Sequence, residues 1–374
     1  MDFKDKRVAV LGFGIEGASV VNFLLKQDAR VSILDVRSED SFEQEQLDEL
    51  RKKGVVFQFD SYPQDFSMFD LVVRSPGVSV LSSIVEKIKK QGIVVTSVIK
   101  IFFDLCPCPI IGVTGTKGKG TTGALIYEML KKQGADAYLG GNIGLPPLEF
   151  LSSLKSDSWA VLELSSFQLQ DLTKSPQIAV FLMTTSEHLD YHRDVKEYVE
   201  AKRNILRFQT SSDFAILNRD YPTSNESDIH TSGQIYRVSR EQVIDRGCYV
   251  SDGFVWIKTD NDELKIIATK DISLPGKHNL ENVCAAAMAA YLVGVDIPNI
   301  VSILREFKGL EHRLELVRIF NGVRYYDDSF STTPETAIAA IEAFEDPEVL
   351  ILGGSSKNSD FSELGRVIRY SKNI

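Results

Sequence analysis

The sequence predicts an α/β protein in which helices cover mostly parallel sheets, organised as three domains. Three observations support this fold class. Residues 7–34 run from apolar strand through a glycine-rich turn to a helix and a second strand, the order of a βαβ unit. Residues 110–134 repeat strand, loop and helix, with a loop rich in glycine and lysine. Apolar runs at 159–164, 178–183 and 214–217, with helical patterns between them, are typical of buried parallel strands.

Composition excludes several classes of protein. A chain of 374 residues with 43% apolar side chains can form two or three packed domains. A formal net charge of −10 argues against a general nucleic-acid or membrane-surface binder. Residues 1–7 contain no signal-peptide core, and no apolar stretch approaches the ~18 residues of a membrane span. Among four cysteines only Cys106 and Cys108 are close in sequence, so reduced thiols of a cytoplasmic protein are the simplest interpretation.

The first glycine-rich turn predicts a nucleotide site. The strand at 7–11 leads into Gly12-Phe13-Gly14-Ile15-Glu16-Gly17, a helix follows to Gln27, and the strand at 30–34 ends at Asp35. A G-x-G-x-x-G turn with an acid after the second strand is typical of NAD binding, but another nucleotide diphosphate would suit the same turn. A further strand at 71–74 ends in Ser75-Pro76-Gly77, and Pro107 and Pro109 predict a domain boundary.

The second glycine-rich loop predicts a phosphate site. Its residues are Gly115, Thr116, Lys117, Gly118, Lys119, Gly120, Thr121 and Thr122. Lys119 is placed to face the outer phosphates, and a threonine hydroxyl could reach Mg²⁺. Gly120 stands where a P-loop usually has Ser or Thr, and Gly112 is one residue too early for the first glycine of that pattern. A glycine-rich turn without a ligand is the alternative.

Polar residues follow the central strands. Glu163 could hold Mg²⁺, or its segment 163–168 could be a helix-capping cluster. His188, within the segment 186–192, could ligate a metal or contact a substrate, or the loop could be structural. Lys202 lies in a helical stretch and is by default a solvated lysine. Asn279 is a candidate helix N-cap with Asn282 one turn on, although both amides could face a purine instead.

The last segment predicts a third, incomplete α/β domain. Strands are expected at 323–327 and 349–352 with a helix at 334–344, too few elements to cover both faces of a sheet. Arg313 could clamp a phosphate or carboxylate, Asp328 ends a strand, and Lys357 follows the next one. Together with the central loop, these residues suggest a nucleotide site shared by two domains.

The order of these motifs resembles the Mur ligase family over nearly the whole chain. The residues that carry the resemblance are Gly-Gly-Asn-Ile-Gly at 140–144, Glu-Leu-Ser-Ser-Phe-Gln-Leu at 163–169, and Gly-Leu-Glu-His-Arg-Leu-Glu at 309–315. The resemblance implies a UDP-substrate domain at 1–106, an ATP domain at 107–306 and an amino-acid domain at 307–374, the last incomplete.

The activity that the resemblance implies is ATP-dependent amide formation with Mg²⁺. A monomeric cytoplasmic enzyme would add D-glutamate to UDP-N-acetylmuramoyl-L-alanine through an acyl phosphate, in peptidoglycan precursor synthesis. The alternatives are a related Mur or folylpolyglutamate-type ligase with another amino acid, and a nucleotide-binding fragment without activity.

The resemblance also implies roles for individual residues. Those implied for the UDP-muramoyl substrate are Gly14, Ile15, Asp35, Arg37, Ser75, Gly77, Asn142 and His188. Those implied for ATP are residues 115–122 with Asn279, Asn282, Arg313 and Asp328. Those implied for catalysis are Lys119, Glu163, His188 and Lys202, and for the metal Thr121, Glu163, His188 and a carbamylated Lys202. Thr332 and Lys357 are implied for the D-glutamate carboxylates.

Two departures from the family pattern stand out. Gly120 moves the expected metal hydroxyl one residue along, to Thr121. Phe330 stands where relatives of this type usually carry a lysine, which removes a positive charge near the amino-acid site and leaves the identity of the amino acid open.

Overall fold

The computed structural model describes residues 1–185, 191–331, 333–344, 346–354 and 360–371. The N-terminal region is a five-stranded parallel sheet in the order β3-β2-β1-β4-β5. Its strands are β1 (Arg7–Leu11), β2 (Arg30–Leu34), β3 (Val56–Gln58), β4 (Leu71–Arg74) and β5 (Val95–Ser97). Its helices are α1 (Ile15–Lys26), α2 (Gln44–Lys52), α3 (Ser83–Lys90) and α4 (Val98–Leu105).

The strand order places a crevice at the carboxyl end of β1. From β1 the chain continues to β2 on one side and later to β4 on the other, and ligands of open α/β sheets bind at such a reversal. Strands β1 and β4 are rich in Val and Leu and almost wholly buried, because helices cover both sheet faces. The predicted strands at 7–11, 30–34 and 71–74 are confirmed.

The central region is a nine-stranded sheet in the order β14-β13-β12-β11-β10-β9-β6-β8-β7. Its strands are β6 (Ile110–Thr114), β7 (Ala137–Gly141), β8 (Trp159–Glu163), β9 (Ile178–Phe181), β10 (Phe214–Asn218), β11 (Gln234–Ser239), β12 (Gly247–Ser251), β13 (Phe254–Lys258) and β14 (Glu263–Ala268). Strands β6 to β12 pair in parallel, and β13 and β14 are antiparallel. The predicted parallel strands are therefore confirmed, with ends that differ by at most two residues.

The helices of the central region bring the first turn of one helix next to the loop that follows β6. They are α5 (Lys119–Lys132), α6 (Pro147–Phe150), α7 (Ser166–Leu169), α8 (Val195–Arg207), α9 (Pro222–Asn225), α10 (Asn279–Leu292) and α11 (Ile297–Glu306). Helix α10 is rich in alanine and nearly all buried, and it packs against α5 and the sheet. Small side chains allow this close approach, which brings the first turn of α10 next to the loop that precedes α5.

The last region differs from its prediction. Strands β15 (Glu315–Phe320) and β16 (Val323–Asp327) form a two-stranded antiparallel sheet, and α12 (Pro334–Ile341) and α13 (Ser362–Tyr370) pack together. The strand predicted at 349–352 is wrong. Val349 and Ile351 are more than 90% exposed, because no described strand lies beside them to pair with.

Within the described part of the chain, no helix has both the length and the apolar character required to cross a bilayer.

Candidate active site

The loop between β6 and α5 is a glycine-rich turn that opens a helix, the backbone arrangement that the sequence predicts. Gly118 is the N-cap of α5 with φ of +84°, a conformation that favours glycine. Lys119 turns back over the loop, and its Nζ donates to the carbonyl oxygens of Gly115 (3.1 Å) and Thr116 (3.0 Å). The amide of Thr116 donates to the Met183 oxygen at 2.7 Å, which ties the loop to the segment after β9. The loop is therefore held in place, and Lys119 lies at its rim.

Two asparagines of α10 lie against this loop. The Thr122 hydroxyl donates to Asn282 Oδ1 (3.3 Å), and Asn282 Nδ2 donates to Asn279 Oδ1 (2.9 Å). A Cβ on Gly118 would stand only 2.2 Å from Asn282 Oδ1, so glycine is required there for steric reasons too. The predicted N-cap role of Asn279 is wrong. His278 is the N-cap residue, and Asn279 Nδ2 donates instead to the Pro275 oxygen at 2.6 Å.

Glu163 faces the start of α5 from the carboxyl end of β8. It is 4% exposed, and its Oε1 accepts from Asn142 Nδ2 at 3.1 Å. A Cβ on Gly120 would lie 3.1 Å from both Glu163 Oε2 and Leu310 Cδ1. This close approach favours glycine after Lys119, since a side chain there would require Glu163 or Leu310 to move by a few tenths of an ångström. Thr121, the next residue of α5, is half-buried.

Lys202 lies in the interior, so the interpretation as a solvated lysine is wrong. It is 2% exposed on α8, and its Nζ donates to the Gly115 oxygen at 2.7 Å. The same Nζ lies 4.7 Å from the centre of the Tyr198 ring, whose hydroxyl is 2.9 Å from Thr116 Oγ1. Two lysines thus converge on one carbonyl of the loop. Burying a cation is costly unless it has partners of this kind. The burial of Lys202 therefore indicates that it does more than keep the protein soluble.

The N-terminal glycine turn leaves open space above its backbone. A Cβ on Gly17 would stand 2.3 Å from the Gly12 oxygen, so Gly17 serves the packing of α1 on the turn. Ser75 Oγ donates to the same oxygen at 2.7 Å. By contrast, no atom lies within 4 Å of a Cβ placed on Gly14 or Gly77, and both are at the crevice between β1 and β4. That space is where a diphosphate could approach the backbone.

Asp35 and Arg37 form an ion pair beside this turn. Asp35 is 3% exposed, and its carboxylate accepts from the amides of Phe13 (2.7 Å) and Arg37 (2.9 Å). The Arg37 guanidinium lies 2.8 Å from Asp35 Oδ2 and stacks 4.5 Å above the ring of Phe42. Burial by itself would raise the pKa of Asp35, but the hydrogen bonds from Arg37 and Phe13 outweigh it and lower the pKa. The carboxylate is thus occupied within the protein, and half-exposed Arg37 offers the accessible charge.

Segment 165–171 connects the two regions. Ser165 and Gln168 form a capping box on α7, so the helix-capping interpretation is confirmed. Gln168 Nε2 also donates to Glu16 Oε1 at 2.7 Å, and Asp171 accepts from fully buried Arg74 at 2.9 Å. The sequence analysis missed Glu16, Arg74 and Asp171. The available signal was an arginine at the end of the otherwise apolar strand β4.

A buried histidine braces the same segment. His192 Nδ1 lies 2.7 Å from Glu197 Oε2, and its Nε2 lies 2.9 Å from Ser166 Oγ. Tyr191 beside it donates to the Pro76 oxygen at 2.8 Å, across to the N-terminal region. The predicted site residue His188 lies outside the described residues.

The predicted residues of the last region make local contacts. Asp328 Oδ1 accepts from the Leu314 amide at 2.9 Å, and the exposed Arg313 guanidinium lies 5.6 Å from the ring centre of Phe330. His312 Nδ1 pairs with Asp327 at 2.7 Å, which raises the pKa of His312. Thr332 and Lys357 lie outside the described residues. The structure therefore brings together residues 115–122, Asn142, Glu163, Lys202, Asn279 and Asn282, with Leu310 at their edge.

Comparison with known proteins gives matches to family profiles, to curated relatives and to solved structures. Two family profiles match: the Mur ligase middle domain over residues 113–290, and the Mur ligase MurD-like N-terminal domain over residues 6–97. The UDP-N-acetylmuramoylalanine–D-glutamate ligase of Acetivibrio thermocellus is 38% identical over 375 residues, or 98% of this chain and 78% of the relative. The enzyme of the same name from Clostridium kluyveri is 38% identical over 97% of this chain and 79% of its own.

Solved structures share the fold. MurF from Acinetobacter baumannii aligns with a TM-score of 0.57 at 18% identity, over 90% of this chain and 72% of that one. UDP-N-acetylmuramate–alanine ligase MurC from Thermotoga maritima aligns with a TM-score of 0.54 at 19% identity, over 91% and 79%. Family membership is established by the sequence identity over most of both chains together with the two matched domains. The chain therefore belongs to the Mur ligase family, whose members use ATP, and its N-terminal domain is of the MurD-like type.

Proposed function

We propose that this protein uses ATP to join the carboxylate of UDP-N-acetylmuramoyl-L-alanine to the amino group of D-glutamate. The observation that carries the proposal is 38% identity over 98% of the chain to a ligase named for this reaction. The two glycine-rich turns support it, because each opens a helix whose first backbone amides could bind a phosphate, and segment 165–171 fixes one turn relative to the other.

The ATP phosphates would lie on the loop that precedes α5. Backbone amides at the start of this helix favour an anion, and Lys119 at the rim would give up its two carbonyl partners for phosphate oxygens. Asn279, Asn282, Arg313 and Asp328 would surround the rest of the nucleotide. The structure brings the two asparagines to the loop, whereas Arg313 and Asp328 would approach by movement of the last region.

The residues implied for Mg²⁺ offer suitable donors. Thr121 and Glu163 present hydroxyl and carboxylate oxygens, which are hard ligands of the kind that Mg²⁺ prefers. Lys202 as an ammonium cannot ligate a metal, but carbamylation would convert it into an anion at the same buried position. His188 would complete the set. When bound, Mg²⁺ supplies positive charge to the phosphoryl oxygens.

The UDP-muramoyl substrate would occupy the N-terminal crevice. Gly14 and Ile15 open α1, and the space above Gly14 and Gly77 admits a diphosphate. Ser75 would orient the turn through Gly12. Asp35 would act mainly by holding Arg37 in position, and Asn142 would link this substrate to Glu163.

The chemistry needs activation because a carboxylate is a poor acyl donor. Its oxygen would attack the γ-phosphorus of ATP, giving an acyl phosphate and ADP, while Lys119 stabilises the charge on the transferred group. The amine of D-glutamate would then attack the acyl carbon, lose a proton and expel phosphate to leave the amide. Thr332 and Lys357 would bind the D-glutamate carboxylates, and closure of the last region would exclude water from the acyl phosphate.

The test is phosphate release from ATP in the presence of UDP-N-acetylmuramoyl-L-alanine and a panel of amino acids. We expect release with D-glutamate and little with L-lysine or meso-diaminopimelate. Release with another amino acid alone would assign a related ligase, a real alternative because Phe330 replaces a positive charge. No release with any amino acid would contradict the proposal. The exposed Lys132→Ala variant, on the same helix as Lys119, is the matched control.

A further inference from the structure

Two thiols lie in contact between the first two sheets. Cys106 follows the last residue of α4, and Cys108 precedes β6 by one proline. Their Sγ atoms are 3.5 Å apart, and Cys106 Sγ lies 3.4 Å from the Cys108 carbonyl oxygen. A disulfide needs the sulfurs about 2.0 Å apart, so they have only about 1.5 Å to close.

Both ends of this segment are anchored. The Cys106 amide donates to the Phe102 oxygen at 2.8 Å, and the Ile110 amide donates to Gln177 Oε1 at 2.7 Å. Cys106 is half-buried, whereas Cys108 is 6% exposed and packs into the apolar core. The thiols are therefore held face to face, with Cys106 the more accessible of the two.

The contact between the sulfurs shifts the pKa values of the two thiols in opposite directions. The bond from Cys108 lowers the pKa of Cys106, while the same contact and burial raise the pKa of Cys108. Because Cys106 is the more exposed thiol, it is placed to be the first nucleophile, and Cys108, with its Sγ 3.5 Å away, is placed to attack the mixed disulfide that forms on Cys106.

We propose that Cys106 and Cys108 are a redox-active pair that a small-molecule disulfide oxidises to an intramolecular disulfide. The Cys106 thiolate attacks one sulfur of the reagent, forms a mixed disulfide and releases one thiolate. Cys108 then loses its proton to solvent and attacks Cys106 Sγ, which expels the second thiolate. Two protein thiols are oxidised and one reagent disulfide is reduced to two thiols.

The position of the pair suggests a consequence. Strand β6 leads straight from Cys108 to the loop that carries Lys119. Helix α4 is part of the N-terminal region, which carries the other glycine turn. A ring closed across a single proline would stiffen this connection. Such a small ring is strained and therefore easily reduced, as suits a reversible switch rather than a permanent crosslink.

The experiment is peptide mapping after oxidation. The folded protein is treated with oxidised glutathione, free thiols are alkylated, and trypsin is used because cleavage after Lys100 and Lys117 leaves both cysteines in one peptide. We expect this peptide to be unalkylated and lighter by two hydrogen atoms, and dithiothreitol to restore two alkylation sites. Cys248 and Cys284, both fully buried, serve as internal references.

Two variants test the assigned order. Cys108→Ser should trap glutathione on Cys106, because the resolving thiol is gone. Cys106→Ser should react slowly, because Cys108 is buried. Two alkylated cysteines in the oxidised wild-type peptide, or a persistent glutathione adduct on wild-type Cys106, would overturn the proposal. None of these outcomes depends on ligase activity.

Discussion

The two glycine-rich turns share a backbone design and differ in their charges. Each follows a buried parallel strand and opens a helix, at Gly14 before α1 and at Gly118 before α5. Beside the first, the cation is Arg37, half-exposed and paired with Asp35. Beside the second, Lys119 and Lys202 both contact the Gly115 oxygen.

Binding a phosphate and transferring one place different demands on a site. Backbone amides at a helix start suffice to bind an anion. Transfer also requires charge that meets the developing negative charge, positioned in advance and shielded from water. At the second turn Lys119 is the cation placed for this role, with buried Lys202 and Glu163 behind it. At the first turn the buried charges Asp35 and Arg74 are paired within the protein, with Arg37 and Asp171.

The largest expected effect comes from removing Lys119. Lys119→Ala should lower kcat by about 100- to 1000-fold, because a preorganised cation at the transferred group is lost. Binding of the UDP substrate, measured by calorimetry, should stay within a factor of about two, since the proposal places that ligand on the other turn. Lys132→Ala should behave as wild type in both assays. An equal loss of turnover and UDP-substrate binding in Lys119→Ala would contradict this division of roles.

Lys202→Ala should have the next largest effect. We expect activity to fall about 10- to 100-fold, because the variant removes a buried group that would hold or orient the proposed metal. Short carboxylic acids should restore part of the rate if a carbamate is the active form. Lys196→Ala, an exposed lysine on the same helix, is the control. If the Lys202→Ala variant kept the wild-type rate, the buried Lys202 side chain would not contribute to catalysis.

A pair of glycine variants separates ligand contact from packing at the first turn. Gly14→Ala places a methyl group in open space, so thermal stability should hold while KM for the UDP substrate rises about tenfold, or ~1.4 kcal/mol. Gly17→Ala puts its methyl group 2.3 Å from the Gly12 oxygen and should lower stability by about 1–3 kcal/mol. If Gly14→Ala left KM unchanged, the diphosphate would not lie above this residue.

The last prediction concerns stability, not turnover, at the contact between the two regions. Burial raises the pKa of Glu16 to about 7, against the opposing hydrogen bond from Gln168 and the charge of Arg74. The folded protein therefore binds more protons at Glu16 than the unfolded chain between pH 4.5 and 7, so this residue's contribution to stability falls as pH rises through that window, by at most about 1.4 kcal/mol per pH unit.

Unfolding by urea at several pH values checks this sign. Relative to Glu16→Gln, wild-type protein should lose free energy of unfolding between pH 5 and pH 7. A difference between the two proteins that stayed constant with pH would mean that Glu16 keeps an ordinary pKa.

Local patterns predicted much of the fold and of the site. Strands β1, β2 and β4 and both glycine turns follow from apolar runs and turn residues, which act over a few positions. The crowding around Gly120 and the burial of Lys202 could not be predicted from local patterns. Each depends on a partner far along the chain, which is Glu163 for Gly120 and Gly115 for Lys202. The error at 349–352 has the same origin, since an apolar run becomes a strand only beside another strand.

The central claim is that ATP bound at the second turn phosphorylates the carboxylate of a substrate bound at the first turn, so that amide formation passes through an acyl phosphate. Its most direct test uses UDP-N-acetylmuramoyl-L-alanine labelled with ¹⁸O in the carboxylate, and ATP and D-glutamate without label. The account predicts that the inorganic phosphate formed carries one ¹⁸O atom for each amide made, because that oxygen passes through the acyl phosphate. Amide formation with unlabelled phosphate would contradict it.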